Sequence, residues 1–338
     1  MDDTAQSGRI TIKEVAERAG VSRSTTSRAL AGTGYVAEPV RQRVRKAAAD
    51  LGYVVDATAR SLKQRSSRVI GVLVSDLRNA FYAELAYGAG QRARESGFTM
   101  MLVDDGGDAA VELEAARAFV AARVAGVVMT PVSDAAAAFL RNQRVPLVEV
   151  DRTFGTGDAV VIDNRAAARS TTEHLLSLGH RRIALVIDET DWTTGRDRRQ
   201  GYSDALAAAG VEFDPRWVIS AGWHADTTEA AARSLLTSDE RPTAVFAANN
   251  LLAEGVWRAA ADLKLAIPGD LSLVSFDDAP WMSMVTPGLT AISQDAARLG
   301  GEAVGLLIAR IAEPEAAQRV ITVPAGFVRR DSTGRPPA

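Results

Sequence analysis

The stretch from Thr11 to Gly32, TIKEVAERAGVSRSTTSRALAG, reads as two short helices joined by a tight turn. Thr11 and Glu14 have the spacing of a capping box, in which a hydroxyl and a carboxylate serve N–H groups that a first helical turn leaves free. Ile12, Val15, Ala16 and Ala19 follow at i, i+3, i+4 and i+7, an apolar stripe on one face. Gly20 can take the left-handed turn that ends the helix, and Ser22 can cap a second one running to about Leu30. That second helix is expected to expose Arg23, Ser24, Thr25, Thr26, Ser27 and Arg28, with almost no acid. Guanidinium forks suit guanine edges and hydroxyls suit phosphates, so this surface fits the reading of DNA. A third helix is expected from Pro39 to Leu51. It turns Val40, Val44, Ala47, Ala48 and Leu51 inward and Arg41, Arg43, Arg45 and Lys46 outward.

Charge is distributed in the same sense. Residues 1–68 hold 13 Lys and Arg against 7 Asp and Glu, whereas the whole 338-residue chain has a net charge of −3. A basic head on an acidic body suits a DNA-binding module joined to a domain with another task. No run approaches the roughly 18 apolar residues that span a bilayer. The polar, acidic start does not read as an export signal, so the expected location is cytoplasmic. With 0 Cys and 3 His there is no disulfide framework, and His174, His180 and His224 do not pair at metal-ligand spacing. No metal and no cofactor are expected.

Beyond residue 68 apolar strand runs alternate with helical stretches. Strands are expected at Val69–Val74, Phe98–Val103, Gly126–Met129, Val145–Val150, Ile183–Ile187, Ala244–Ala247 and Leu271–Phe276. Helices are expected at Phe81–Ser96, Val111–Arg123, Arg165–Leu178, Asp197–Ala209, Asp226–Leu236, Asn250–Leu263 and Asp295–Ala312. Such alternation implies an α/β fold of doubly wound parallel sheets, with enough units for two sheets and a ligand cleft between them. Residues just after strands face such a cleft, which selects Asp277 and Asn249, with Arg198 at a helix start. A carboxylate accepting from two hydroxyls beside a donating guanidinium suits a polyol. No glycine-rich phosphate loop, nucleophile elbow or metal cluster appears, so neither a nucleotide cofactor nor an enzyme is expected.

From Arg9 to Val74 the chain resembles the headpiece of the lactose-repressor (LacI/GalR) family, through TIKEVAERAGVSRSTTSRALAG, RQRVRKAAADLGYVVDATARSLK and IGVLV. The resemblance implies that Arg23, Ser24 and Arg28 read bases and that Thr11, Ser22, Thr25 and Ser27 meet phosphates. It further implies a hinge helix at about 56–64, with Leu62 wedged between base pairs of the minor groove and Ala59 small enough for close approach. Thr26, Ala31, Ala37 and Asp56 depart from the family's usual residues. The body continues the resemblance at Asn79-Ala-Phe-Tyr, Asp163-Asn164, LGHRRIALV, Arg198-Arg-Gln-Gly-Tyr, Ala248-Asn249-Asn250 and SLVSFDD. The implied fold is that of periplasmic sugar-binding proteins, with one subdomain at 69–160 and 291–322 and the other at 161–290 and 323–338. Phe81, Tyr82, Asp163, Thr194, Arg198, Trp223, Asn249, Asp277 and Gln294 fall at its effector-contacting positions.

Together these readings describe a sequence-specific transcriptional regulator, expected to be a repressor, whose affinity for double-stranded operator DNA is set by a small effector. A homodimer, or a higher assembly, would match a near-palindromic operator. With Arg198 as the one clear cation, and Arg152 and Arg196 as possible additions, the expected effector is a neutral sugar or related polyol. A solute-binding protein without a DNA role, and a regulator of a nucleoside or phosphorylated ligand, are the rival readings. His180, in a Gly-His-Arg-Arg turn entering a strand, reads as structural.

Overall fold

Three helices build the amino-terminal unit: α1 (Ile12–Ala19), α2 (Arg23–Ala31) and α3 (Glu38–Asp50). A computed structural model describes residues 10–53, 67–155, 157–188, 192–222 and 224–337. The chain divides into two compact units, residues 1–66 and 67–338. The backbone N–H and the hydroxyl of Thr11 donate to the Glu14 carboxylate at 2.6 and 2.8 Å. Gly20 closes α1 at φ 64°, and the Ser22 hydroxyl accepts the Thr25 N–H at 3.1 Å. Helix α3 starts at a cap, Ala37, that makes no side-chain bond. Val15, Ala19, Ala29, Val36, Val44, Ala47 and Ala48 form the shared core. Thr26 is not on the surface, as its company suggested: it is fully buried and donates to the Ser22 carbonyl at 3.0 Å. A buried hydroxyl with a partner is tolerated where an aliphatic side chain would also fit.

The second unit runs β1 (Val69–Val74), α4 (Ala80–Glu95), β2 (Thr99–Asp104), α5 (Ala109–Ala121), β3 (Val127–Met129), α6 (Asp134–Asn142), β4 (Leu147–Val150) and β5 (Asp158–Val161). It continues with α7 (Asn164–Ser177), β6 (Ile183–Ile187), α8 (Thr193–Ala208), β7 (Val218–Ser220), α9 (Ala225–Leu236), β8 (Ala244–Ala247), α10 (Asn250–Asp262) and β9 (Ser272–Phe276). Last come β10 (Thr290–Ser293), α11 (Ala296–Ala312), β11 (Val320–Thr322) and β12 (Gly326–Val328). Two six-stranded sheets result, in the orders β11-β5-β4-β3-β1-β2 and β12-β10-β9-β8-β6-β7. All pairings are parallel except β10 with β12. Strands β6, β8 and β9 are buried throughout, as a parallel sheet covered on both faces requires.

Because β10 pairs with β9, residues 291–293 belong to the second sheet. The second crossing between lobes therefore follows Ser293, and the third lies between β11 and β12. Helix α8 starts at Thr193, four residues ahead of the periodic pattern. The short β5, β7, β11 and β12 are too brief to show a period of their own.

His180 is fully buried, with Nδ1 2.9 Å from Thr243 Oγ1 and Nε2 3.0 Å from both Ser272 Oγ and the Gly334 carbonyl. That carbonyl can only accept, so Nε2 carries the hydrogen, and the ring ties the carboxy-terminal stretch to the second lobe. Burial lowers its pKa.

Helices α4 and α11 meet at two glycines. A Cβ on Gly88 would lie 1.9 Å from the Ala297 carbonyl oxygen, and one on Gly300 would lie 2.0 Å from that of Leu85. Backbone cannot step aside as a side chain can. Gly300→Ala is therefore expected to destabilise the second unit by about 2–4 kcal/mol, read as a lowered thermal midpoint. An unchanged midpoint would show that the crossing yields without cost.

Candidate functional site

Two surfaces carry the chemistry, one in each unit. On α2, Arg23, Ser24 and Arg28 are exposed, Thr25 and Ser27 are half-buried, and the first turn holds no acid. The Ser22 hydroxyl lies 3.0 Å from that of Ser24 and 2.9 Å from that of Thr25. Thr11 is exposed, with its hydroxyl spent on Glu14. The hinge reading at 56–64, Ala59 and Leu62 included, lies outside the described residues.

In the second unit, parallel strands of both lobes end on one narrow cleft. Strand β1 delivers Asp76, β4 delivers Asp151 and Arg152, β6 delivers Asp188, β8 delivers Asn249, β9 delivers Asp277 and β10 delivers Gln294. This is where open parallel sheets place ligands. The starts of α4 and α8 add Phe81 and Tyr82, and Trp192, Thr194 and Arg198. Asp151 and Asp277 end corresponding strands with φ 68° and 66°. Such left-handed backbone costs a non-glycine residue about 1–2 kcal/mol and here aims a carboxyl into the cleft.

Arg198 is 5% exposed. Its Nε donates to Asn164 Oδ1 at 2.8 Å and its Nη1 to the Ala248 carbonyl at 2.6 Å, while the guanidinium lies 3.6 Å over the Phe276 ring. Asp277 accepts from Gln294 Nε2. Asn249 donates to Asp188 Oδ2 at 3.0 Å, and its own oxygen caps α10 by accepting from the Leu252 N–H at 2.8 Å. Arg152 donates to Ser75 Oγ and to the Tyr82 hydroxyl, and stacks 3.8 Å from the Trp192 ring centre. Among the described residues three bonds run from lobe to lobe: Asn250 Nδ2 to Asn79 Oδ1 at 2.8 Å, Trp192 Nε1 to the Val132 carbonyl at 3.2 Å, and the Thr153 N–H to Thr193 Oγ1 at 3.2 Å.

Burial raises the pKa of Asp188 and of Asp277, opposed by Arg198, and pushes Asp151 up to about 6 against the pull of Arg152. Tyr82 is likewise raised by burial.

Seven of the nine residues chosen from sequence line this cleft: Phe81, Tyr82, Thr194, Arg198, Asn249, Asp277 and Gln294. Asp163 does not. It is exposed and caps α7 by accepting the Ala166 N–H at 2.8 Å, while its neighbour Asn164 turns inward to Arg198. Trp223 lies outside the described residues. Arg152 supplies a second buried cation, whereas Arg196 is 64% exposed in its side chain and stays out. Asp76, Asn79, Asp151, Asp188 and Trp192 were not foreseen. The three acids follow strands legible in the sequence, so the strand-end rule applied evenly would have selected them.

Residues 11–56 match the family described as bacterial regulatory proteins, lacI family, and residues 172–333 match a periplasmic binding protein-like domain. The ribose operon repressor of Haemophilus influenzae is 30% identical over 95% of this chain and 98% of its own length. The chain belongs to the LacI family. It is a DNA-binding transcriptional regulator with an effector-binding domain, built on the Lac repressor fold. The repressor PurR of Vibrio vulnificus is also 30% identical, over 95% of this chain and 98% of that one. The lac repressor dimer bound to operator and the anti-inducer ONPF superposes with a TM-score of 0.87 at 27% identity, covering 97% of this chain and 100% of that one. No described helix is long and apolar enough to cross a membrane.

Arg198 is the cation nearest the raised carboxyls of the second lobe. Arg198→Ala leaves Asp188 and Asp277 buried with less compensation, at a cost of about 3–5 kcal/mol when they are ionised. Their pKa values then rise further, so protonation relieves the loss as pH falls. Denaturation midpoints are expected to show a larger deficit near pH 8 than near pH 5; an equal deficit at both would show that the arginine acts by packing alone.

Proposed function

We propose that this LacI-family regulator is a cytoplasmic, non-catalytic homodimeric repressor whose effector is a neutral sugar. One observation carries the effector class: the cleft walls bring together four buried acids, Asp76, Asp151, Asp188 and Asp277, with only two buried arginines. An anionic ligand would add charge where carboxyls are already desolvated. Hydroxyls donate to carboxylates and accept from guanidinium, and the rings of Phe81, Tyr82 and Trp192 offer faces for an apolar sugar surface. A relative named for a ribose operon supports the same reading. Asp277→Ala is expected to abolish the effector's influence on operator binding while leaving operator binding without effector in place. Calorimetry against pentoses, hexoses, disaccharides, purine bases, nucleosides and their phosphates checks it. Binding confined to phosphorylated or purine compounds, or a full response in the variant, would contradict it.

On the DNA side we assign base contacts to Arg23, Ser24 and Arg28 and phosphate contacts to Thr11, Ser22, Thr25 and Ser27. A phosphate bond to Thr11 has to replace its bond to Glu14. Ala59 and Leu62 are assigned to the minor groove. Exposed apolar side chains support a partner copy: Tyr87 (59%) on α4, Leu102 (36%) on the edge strand β2 and Met284 (78%) in the second lobe. Arg23→Ala and Arg28→Ala are each expected to lose about 1–3 kcal/mol of discrimination at one base position. Thr25→Ala should weaken all sites alike. Wild-type preferences in both arginine variants, read by randomised-site selection, would move the reading head elsewhere.

A further inference from the structure

Beside the cleft, and not among its lining residues, lies a carboxyl that neither the effector nor the operator reading uses. Asp105 directly follows β2 and is 2% exposed. One of its oxygens accepts the Gly107 N–H at 2.8 Å; the other, Oδ2, has no hydrogen-bond partner among the described residues. The Asp105 N–H donates to the Val74 carbonyl at 3.0 Å, which sets this residue one strand over from Ser75. Arg152 lies on the Ser75 hydroxyl, and neighbouring strands are about 5 Å apart. Asp105 is thus within electrostatic reach of an arginine that does line the cleft.

The other groups facing Asp105 are already committed. From α5 comes Glu112, fully buried, whose oxygens accept the Val132 N–H at 2.7 Å, the Ser133 N–H at 3.1 Å and the Ser133 hydroxyl at 2.8 Å. On β2 itself, Asp104 accepts the N–H groups of Leu77 and Gly106, each at 2.9 Å. Asp105 alone in this group keeps an oxygen that is buried and unserved, a costly arrangement for an anion and a cheaper one for a neutral acid.

We propose that Asp105 is a positioning residue that ties sugar binding to pH through Arg152. Ionised, it draws the guanidinium back over the first-lobe strands; neutral, it weakens that pull and lets the guanidinium shift toward a sugar in the cleft. This rests on the reading of the cleft as a sugar site. Burial pushes Asp105 up to about 7; the Gly107 N–H and Arg152 oppose the rise, while Glu112 and Asp104 add to it. A neutral ligand that expels water from the cleft disfavours the ionised form further, so binding and protonation promote each other. Affinity therefore falls as pH rises through the Asp105 midpoint. Asp151, pushed up to about 6 and lining the cleft itself, changes charge lower on the scale, and burial also raises Glu112.

The test uses the full chain. Carbon-detected NMR of the side-chain carboxyls should place the Asp105 midpoint well above the ordinary carboxylate range, and Arg152→Gln should move it higher. A midpoint in the ordinary range, or one unmoved by Arg152→Gln, overturns the proposal whatever binds in the cleft. Calorimetry with D-ribose, from about pH 6.5 to about pH 8, is expected to show several-fold weaker binding at the upper end. Asp105→Asn should cut that change to less than about twofold. An unaltered profile in Asp105→Asn also overturns the proposal. Absence of ribose binding at every pH counts against the sugar assignment, and the NMR midpoints then decide the role of Asp105.

Discussion

Arg198 is a guanidinium buried on the ring of Phe276, and the rest of the cleft is arranged around that charge. Removing a cation from water is tolerable only with good hydrogen bonds and opposite charge close by. Asn164 and the Ala248 carbonyl supply the bonds, and Asp188 and Asp277 supply the charge. Those acids are in turn desolvated, and Asn249 and Gln294 hold them with amide donors. A ring of groups so matched has donors and acceptors to offer a neutral polar ligand but little room for a further net charge.

The fold makes this arrangement economical. Parallel strands all end on the same side, so successive strand-to-helix junctions bring short polar side chains to one place without long loops. The tight α4–α11 crossing at Gly88 and Gly300 fixes the helix that follows the second passage between lobes. Among the described residues, Asn79 with Asn250, Trp192 with the Val132 carbonyl, and Thr153 with Thr193 then join the lobes by three hydrogen bonds. So few bonds are a modest barrier, and a ligand that binds both lobes can shift their relative populations.

Much of this was legible in the sequence where the signal is local. The Thr11 and Glu14 cap, the turn at Gly20 and the Ser22 cap depend on neighbours a few residues apart. Buried strands such as β6 and β9 show as continuous apolar runs. What failed needed the third dimension. Thr26 looked like surface because its neighbours are polar, although its i, i+3 relation to Ala29 put it on the core side. Asp163 and Asn164 are adjacent at a helix start, and only the backbone direction decides which of them turns inward. Arg152 and Arg196 are equivalent as letters; burial separates them. Trp192 sits in DETDWTTG, a stretch with no hydrophobic period to mark it as facing inward.

The central claim is that one chain reads DNA through α2 and senses a neutral ligand in a separate cleft. Selection of bound sites from random DNA by the full chain, with and without sugar, tests it most directly. The expected result is a near-palindromic site with two half-sites, in which sugar changes the amount bound and leaves the base preferences unaltered. Enrichment of no defined sequence, or base preferences that change with the sugar, would contradict the account.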